Sequence, residues 1–238
     1  MLRSIVLSTI LASLSSARLI PFVVQGGEQQ ALGSFSDDVK VPVQLGVMSR
    51  CPDALLCETL FDQVNREVGS RVDLELVYIA KYDSDNSTHP ECMHGHDECA
   101  GNIQQLCVKK HAEDLAQWWS FVQCQNYEGR LRIGLPSVAT KCARSARLEW
   151  EKSGAAECVG EKYGGGEKSG DGQEGRLLLK KSVETQQKED IVKSCTILID
   201  HEKVCVHDGV WKDCDDGHTV NDFVRQIKSA YDRLNASD

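Results

Sequence analysis

Residues 39–82 carry two hydrophobic periods in immediate succession, and few folds accept that order. "VKVPVQLGVMS" (39–49) alternates apolar and polar residues and is rich in valine, the pattern of a strand, with Pro42 at its beginning or on an unpaired side. From Pro52 the period changes. Cys57, Leu60, Phe61, Val64 and Val68 recur at helical spacing and make one face of an amphipathic helix. Pro52 suits the first turn of that helix and Gly69 its end. "RVDLELVYIAKY" (71–82) then reads as a second strand. Strand, helix and strand at this spacing predict a right-handed βαβ unit with parallel strands.

The middle of the chain has a different character. Residues 83–110 hold three histidines and three cysteines and read as an inserted, disulfide-tied segment. Helices are expected over 112–124, over 137–158 with Ser137 as a cap, and over 176–189. The Gly-rich, charged stretch 159–175 between the last two is expected to be a mobile loop. Strand character returns at "SCTILID" (194–200), with "KVCV" (203–206) as its hairpin partner through a turn at His201–Glu202. Thr219 can cap a last helix whose buried face is Val220, Phe223, Val224, Ile227, Tyr231 and Leu234. The order is β-α-β, helical insertion, β-β-α. That is an α/β, thioredoxin-like plan: one domain over 39–238, with the insertion at about 83–190.

The first residues add a compartment. Arg3, the apolar run Ile5 to Leu14 and the small residues Ser15-Ser16-Ala17 have the form of a secretory signal peptide over 1–17, followed by an irregular leader to 38. No other apolar run is long enough to cross a bilayer, so no membrane span is expected after signal removal. Eleven cysteines fit an oxidising space, where most become disulfides. Because the number is odd, at least one thiol stays outside an internal bond. Asn86 and Asn235 begin glycosylation triplets, also in keeping with secretion. The net charge of −9 argues against a nucleic-acid partner and against anionic membrane surfaces.

Cys51 stands where the first strand gives way to the first helix. A thiolate is the nucleophile of disulfide exchange, and a helix N-terminus favours the anion, so this is a place for a reactive thiol; the alternative is a structural disulfide. Cys57 follows on the apolar face of the helix, as a possible resolving thiol or as a core residue. Six residues of regular helix rise about 9 Å, whereas a disulfide needs Cα atoms roughly 4.4–6.8 Å apart. Cys51 and Cys57 therefore bridge only if the helix start is distorted. In "CMHGHDECAGNIQQLC" (92–107) the cysteines and histidines are dense enough for zinc, but their spacing is irregular for it, and disulfides are the expected outcome.

This segment resembles the signature of the gamma-interferon-inducible lysosomal thiol reductase (GILT) family, Cys-Gln-His-Gly-x-x-Glu-Cys-x-x-Asn-x-x-x-x-Cys. Cys92, His94, Gly95, Glu98, Cys99, Asn102 and Cys107 match it, and Met93 stands where glutamine is usual. The resemblance implies a thioredoxin-like fold and a disulfide reductase of secretory, endosomal or lysosomal compartments. Animal members carry Cys-x-x-Cys at the position of Cys51. Here Ala54 takes the place of the second cysteine, an arrangement similar to a fungal-type variant, and Cys57 is the nearest substitute. Thioredoxin-like enzymes also place a cis-proline before the strand that corresponds to "SCTILID". Only Ser194, Cys195 or Thr196 can fill that place, which puts Cys195 near Cys51 as an alternative resolving thiol, or as a sheet cysteine without a role. Among the other cysteines, Cys142–Cys158 and Cys205–Cys214 are expected staples, and Cys92, Cys99, Cys107 and Cys124 are expected to pair among themselves.

The leading expectation is thus a thiol-disulfide oxidoreductase of the secretory route, extracellular or lysosomal/vacuolar. It would act on disulfide-containing protein substrates through a Cys51 mixed disulfide and be recycled by a small thiol reductant. No NAD, flavin or metal motif accompanies it, so no cofactor is expected. The alternative is a non-catalytic, disulfide-stapled secreted binding protein on the same fold, and a zinc protein built on residues 92–107 comes last.

Overall fold

Five strands are laid side by side in the order β2-β1-β3-β4-β5. The structure is a computed structural model that describes residues 38–82 and 89–236. Expectations for residues 1–37, for Asn86 and for Ser237 lie outside the described residues. Asp38–Asp238 forms one unit by its internal contacts.

β1 (Val41–Val47) and β2 (Val72–Tyr78) are parallel and in register from Val41 opposite Val72 to Val47 opposite Tyr78. α1 (Pro52–Val68) connects them. β3 (Thr196–Ile199) runs antiparallel along the other side of β1, so β1 is a central strand. β4 (Glu202–His207) and β5 (Trp211–Lys212) continue the sheet as hairpins. The period-two pattern of β1 has its structural counterpart: Val41, Val43, Leu45 and Val47 enter the main core with Leu74, Leu76 and Tyr78 from β2. The opposite face carries a small cluster of Val77, Ile191 and Leu198. Gly46 points to that face, and a Cβ there would run into the Ile191 side chain.

Five helices separate β2 from β3: α2 (His96–His111), α3 (Leu115–Glu128), α4 (Pro136–Ser145), α5 (Ala155–Val159) and α6 (Gln173–Lys188). α7 (Val220–Leu234) closes the chain. Its start is a capping box: the Thr219 hydroxyl accepts from Asp222 N at 3.3 Å, and the Asp222 carboxylate accepts from Thr219 N at 3.0 Å.

Three expectations need correction here, and one gains detail. Within the disulfide-tied segment, residues 96–111 form a sixteen-residue helix, α2. Its inward face carries Glu98, Asn102, Gln104 and Gln105, which a hydrophobic period does not register. The single helix over 137–158 is two, because the chain turns at Arg147 (φ 59°) and Gly154 (φ 93°) between α4 and α5. The stretch 159–175 is closed on itself by Glu161 N–H to Gly170 C=O (3.0 Å) and Gly165 N–H to Gly160 C=O (2.8 Å), and it buries Tyr163. Gly160 lies so close to the backbone of Gly172 that no side chain fits between them. On α7 the buried residues are Phe223, Val224, Ile227 and Ala230, whereas Val220 and Tyr231 are half-buried and Leu234, at the last helical position, is exposed.

Candidate active site

The chain leaves β1 through Met48-Ser49-Arg50 and reaches Cys51, the N-cap of α1. Cys51 N–H donates to the Met48 carbonyl at 2.8 Å, and the Cys51 carbonyl accepts from Leu55 N–H at 3.2 Å. Pro52 follows at the first helical position, where its missing N–H costs nothing. No side chain caps this helix. Cys51 is the one free cysteine among the described residues; it is 7% exposed, and its Sγ–H donates to the Ser194 carbonyl at 3.7 Å.

Ala54, at the place of the expected resolving thiol, is fully buried. Cys57 is bonded to Cys195, with Cα atoms 6.4 Å apart, and both residues are fully buried. Cys57 thus makes no bridge to Cys51. α1 is regular from Pro52 onward, so Cys57 lies well down the helix, turned toward β3. The Ser194–Cys195 peptide is cis, at the place where the family resemblance put a proline. The chain thereby brings three sulfurs to one end of the sheet: Cys51, 7% exposed and in contact with Ser194, and the fully buried Cys57–Cys195 pair, whose Cys195 is the residue after Ser194.

The signature residues build the wall behind this loop. Gly95 enters α2 with φ 86°, a conformation that favours glycine. Glu98 is buried at the first turn. Its carboxylate accepts from Arg50 N–H at 3.3 Å and His94 N–H at 3.1 Å, and it pairs with the His94 imidazole. Asn102, one turn on, accepts from Ser49 N–H at 3.1 Å and donates to Cys92 Sγ at 3.8 Å. Cys92 is bonded to Cys99, which holds the His94–Gly95 turn against the helix. Neither sulfur is therefore a thiolate available to zinc. Gly101 lets α2 approach: a Cβ there would sit 2.6 Å from Ile133 Cγ2 and 2.7 Å from Ser49 Oγ. The signature, Cys107 apart, is in this way the seat of the loop that presents Cys51.

Several site residues carry no motif. The Arg50 guanidinium is held by the Ile133 carbonyl (2.6 and 2.9 Å) and by Asp97 (3.0 Å). Ser194 Oγ accepts from Met48 N–H at 3.0 Å. Asp53, one helical turn before Cys57, pairs with His207 at 2.7 Å. His207 in turn exchanges two backbone hydrogen bonds with Cys195, at 2.9 and 3.0 Å. In the sequence, the only signal for Arg50 and Asp53 is their place near Cys51, Ser194 is marked only as a candidate for the cis-proline place, and His207 has none.

Cys107 pairs with Cys158 and Cys124 with Cys142, which corrects both the expected Cys142–Cys158 bond and the expected pairing of Cys107 and Cys124 within the group that also holds Cys92 and Cys99. Splitting the helix at Arg147 turns Cys142 toward α3 and Cys158 toward α2. Cys205 is bonded to Cys214. His111 and Glu174 lie with Cys158 in a group of metal-ligand type, but that sulfur is committed to Cys107. The Asn235 amide is engaged with both backbone groups of Val39, at 2.8 and 3.0 Å.

Glu58 adjoins Cys57 but points into the protein. Burial raises its carboxyl to about 7, against the lowering effect of the hydrogen bond from Asn126. Beside the site, Met48, Ile79, Ala80, Cys92 and the exposed Met93 line a hollow of about 220 Å³. Two larger hollows, about 810 and 700 Å³, lie along α7 and between α1 and α3, and no cysteine lines them.

No curated protein matches the chain. Among solved structures, MdbA, a thiol-disulfide oxidoreductase from Corynebacterium diphtheriae, superposes with a TM-score of 0.52 at 13% identity, covering 83% of this chain and 86% of that one. The oxidoreductase DsbA from Xylella fastidiosa gives 0.49 at 13% identity, over 83% and 88%. The first likeness shows the thioredoxin-like fold. Family evidence comes from the sequence model described as "Gamma interferon inducible lysosomal thiol reductase (GILT)", which matches residues 42–146. That segment, which runs from β1 through α4 and holds Cys51 and the whole signature, is similar to the GILT family.

Proposed function

We propose that this protein is a thiol-disulfide oxidoreductase that reduces protein disulfides, with Cys51 as the attacking sulfur. The observation that carries this reading is the single free thiol at the N-terminus of α1, nearly buried and seated by the signature residues Glu98 and Asn102. The Cys51 thiolate attacks one sulfur of a substrate disulfide, a Cys51–substrate mixed disulfide forms, and the other substrate sulfur leaves as a thiol. The hollow between Met48 and Met93, lined also by Lys81 and Glu91, has room for a side chain flanking the substrate cysteine. A small thiol reductant returns the enzyme to its starting state.

Five disulfides fit an oxidising compartment. Residues 1–17 act as the signal peptide and 39–238 as the mature domain, with an extracellular or lysosomal/vacuolar destination. Glycosylation at Asn86 belongs to the same reading. At Asn235 a glycan requires the amide to leave Val39.

One observation favours the binding-protein alternative: Ala54 leaves Cys51 without a neighbour thiol in the first turn. Insulin reduction with glutathione, at acidic and neutral pH, separates the two. The enzyme reading expects turnover by the wild type and none by Cys51→Ser. Equal inactivity of both proteins would leave the stapled scaffold.

A further inference from the structure

We infer that Cys57 and Cys195 are a buried redox pair that completes the reaction in place of the missing vicinal cysteine, in the order Cys51, Cys195, Cys57. This rests on the reading of Cys51 as nucleophile and adds the fate of its mixed disulfide. Three observations carry it. Cys51 Sγ lies 3.7 Å from the carbonyl of Ser194, whose carbonyl carbon is bonded to the nitrogen of Cys195. The Cys57–Cys195 bond is fully buried, so no external thiol or protein disulfide reaches it except by way of Cys51. And the bond joins the helix that presents Cys51 to the strand whose entry touches Cys51, while Cys51 itself remains free.

The steps balance. In the reduced enzyme all three sulfurs are thiols or thiolates. Cys51 attacks the substrate disulfide R–S–S–R′, binds R–S and releases R′–SH. The Cys195 thiolate attacks Cys51 Sγ, and R–S leaves, taking up the proton that Cys195 lost. Cys57 then attacks Cys195 Sγ, forming the Cys57–Cys195 bond of the structure, and Cys51 departs as the restored thiolate. The sum is R–S–S–R′ plus two enzyme thiols giving R–SH, R′–SH and one buried disulfide. Recovery runs backwards through Cys51 with two equivalents of a monothiol such as glutathione, which leave as its disulfide. Cys51 is thus free at the start and at the end of each cycle.

The test uses the full chain, reduced by dithiothreitol to the point where mass mapping shows the Cys57–Cys195 bond open and the other four intact. The reductant is removed and one equivalent of 5,5′-dithiobis(2-nitrobenzoic acid) is added. The relay predicts release of both thionitrobenzoate groups, no adduct on Cys51 and a re-formed Cys57–Cys195 bond. Cys57→Ser should also release both and end as a Cys51–Cys195 disulfide. Cys195→Ser should release one and keep the adduct.

A wild type that releases one equivalent and holds the adduct on Cys51 overturns the relay and leaves the nucleophile standing. So does a Cys57–Cys195 bond that opens only together with the other four, since that is a staple. Release of nothing by the wild type overturns the nucleophile itself. Should either variant fail to fold, the wild-type stoichiometry and mapped bonds decide alone.

Discussion

The active end of the sheet and the helical insertion use the same bond for different ends. In the insertion, Cys107–Cys158 ties α2 to α5 across 51 residues, and Cys124–Cys142 ties α3 to α4 across 18. Each ties helix to helix, and the one free thiol among the described residues, Cys51, belongs to neither tie. At the sheet end, Cys57–Cys195 is fully buried, but a free thiol touches the residue next to Cys195. A disulfide's role is therefore read from its neighbour and from access, since exchange needs a thiolate within reach. The described part of the insertion is held by a second device as well. Tyr78, Gln105, Gln125 and Gln104 form a continuous hydrogen-bonded chain that ends on the carbonyls of Gly134 and Tyr163. A fully satisfied buried network of this kind rigidifies and specifies its surroundings.

The contrast is broken most sharply at Cys51. Cys51→Ser should lower insulin reduction at least about a thousand-fold, as loss of an attacking atom does, with the thermal midpoint little changed. The opposite outcome is expected in the insertion. Replacing Cys107 and Cys158 together by serine should lower stability by about 4 kcal/mol, read by urea unfolding. Below its midpoint that variant should still be alkylated at Cys51 at the wild-type rate.

A pH-dependent effect comes next. Glu58 is neutral when folded up to about 7 and ionises from its ordinary value of 4.5 when unfolded. Its contribution is therefore complete below 4.5 and is lost as pH rises to 7, because in that window the unfolded chain sheds a proton the folded one keeps. The loss is of order 3 kcal/mol, and the fold is favoured on the acidic side. Glu58→Gln should flatten this part of the stability profile; an unchanged slope between those limits would reject the assignment.

The seat of the loop should give smaller effects that cross from structure to activity. Asn102→Ala orphans the Ser49 N–H, a cost of about 1–3 kcal/mol. It should slow thiol exchange at Cys51 more than it lowers the melting midpoint. Gly101→Ala forces a methyl group against Ile133 and Ser49 and should cost about 1–3 kcal/mol. A Gly101→Ala protein as stable and active as wild type would mean that α2 does not set the loop.

What the sequence showed follows from which forces leave a local pattern. β1, α1, β2 and α7 bury apolar side chains at periods of two or 3.6, so they can be read directly. α2 buries Glu98, Asn102, Gln104 and Gln105, whose partners are far away in the chain, and it was not legible as a helix. The break after α4 turns on Arg147, a residue without turn character, in a left-handed conformation. Cys51 was legible because the junction and the signature are local. The bond from Cys57 to Cys195 spans 138 residues and depends on how α1 lies against β3. The family resemblance brought Cys195 into view near Cys51, but no spacing pairs it with Cys57.

The most direct measurement is alkylation of the native, oxidised protein with isotope-labelled iodoacetamide, followed by peptide mapping and a parallel insulin-reduction assay. The account predicts a single labelled residue, Cys51, and activity that falls in proportion to its labelling. An unlabelled Cys51, or activity that survives complete labelling there, would contradict it.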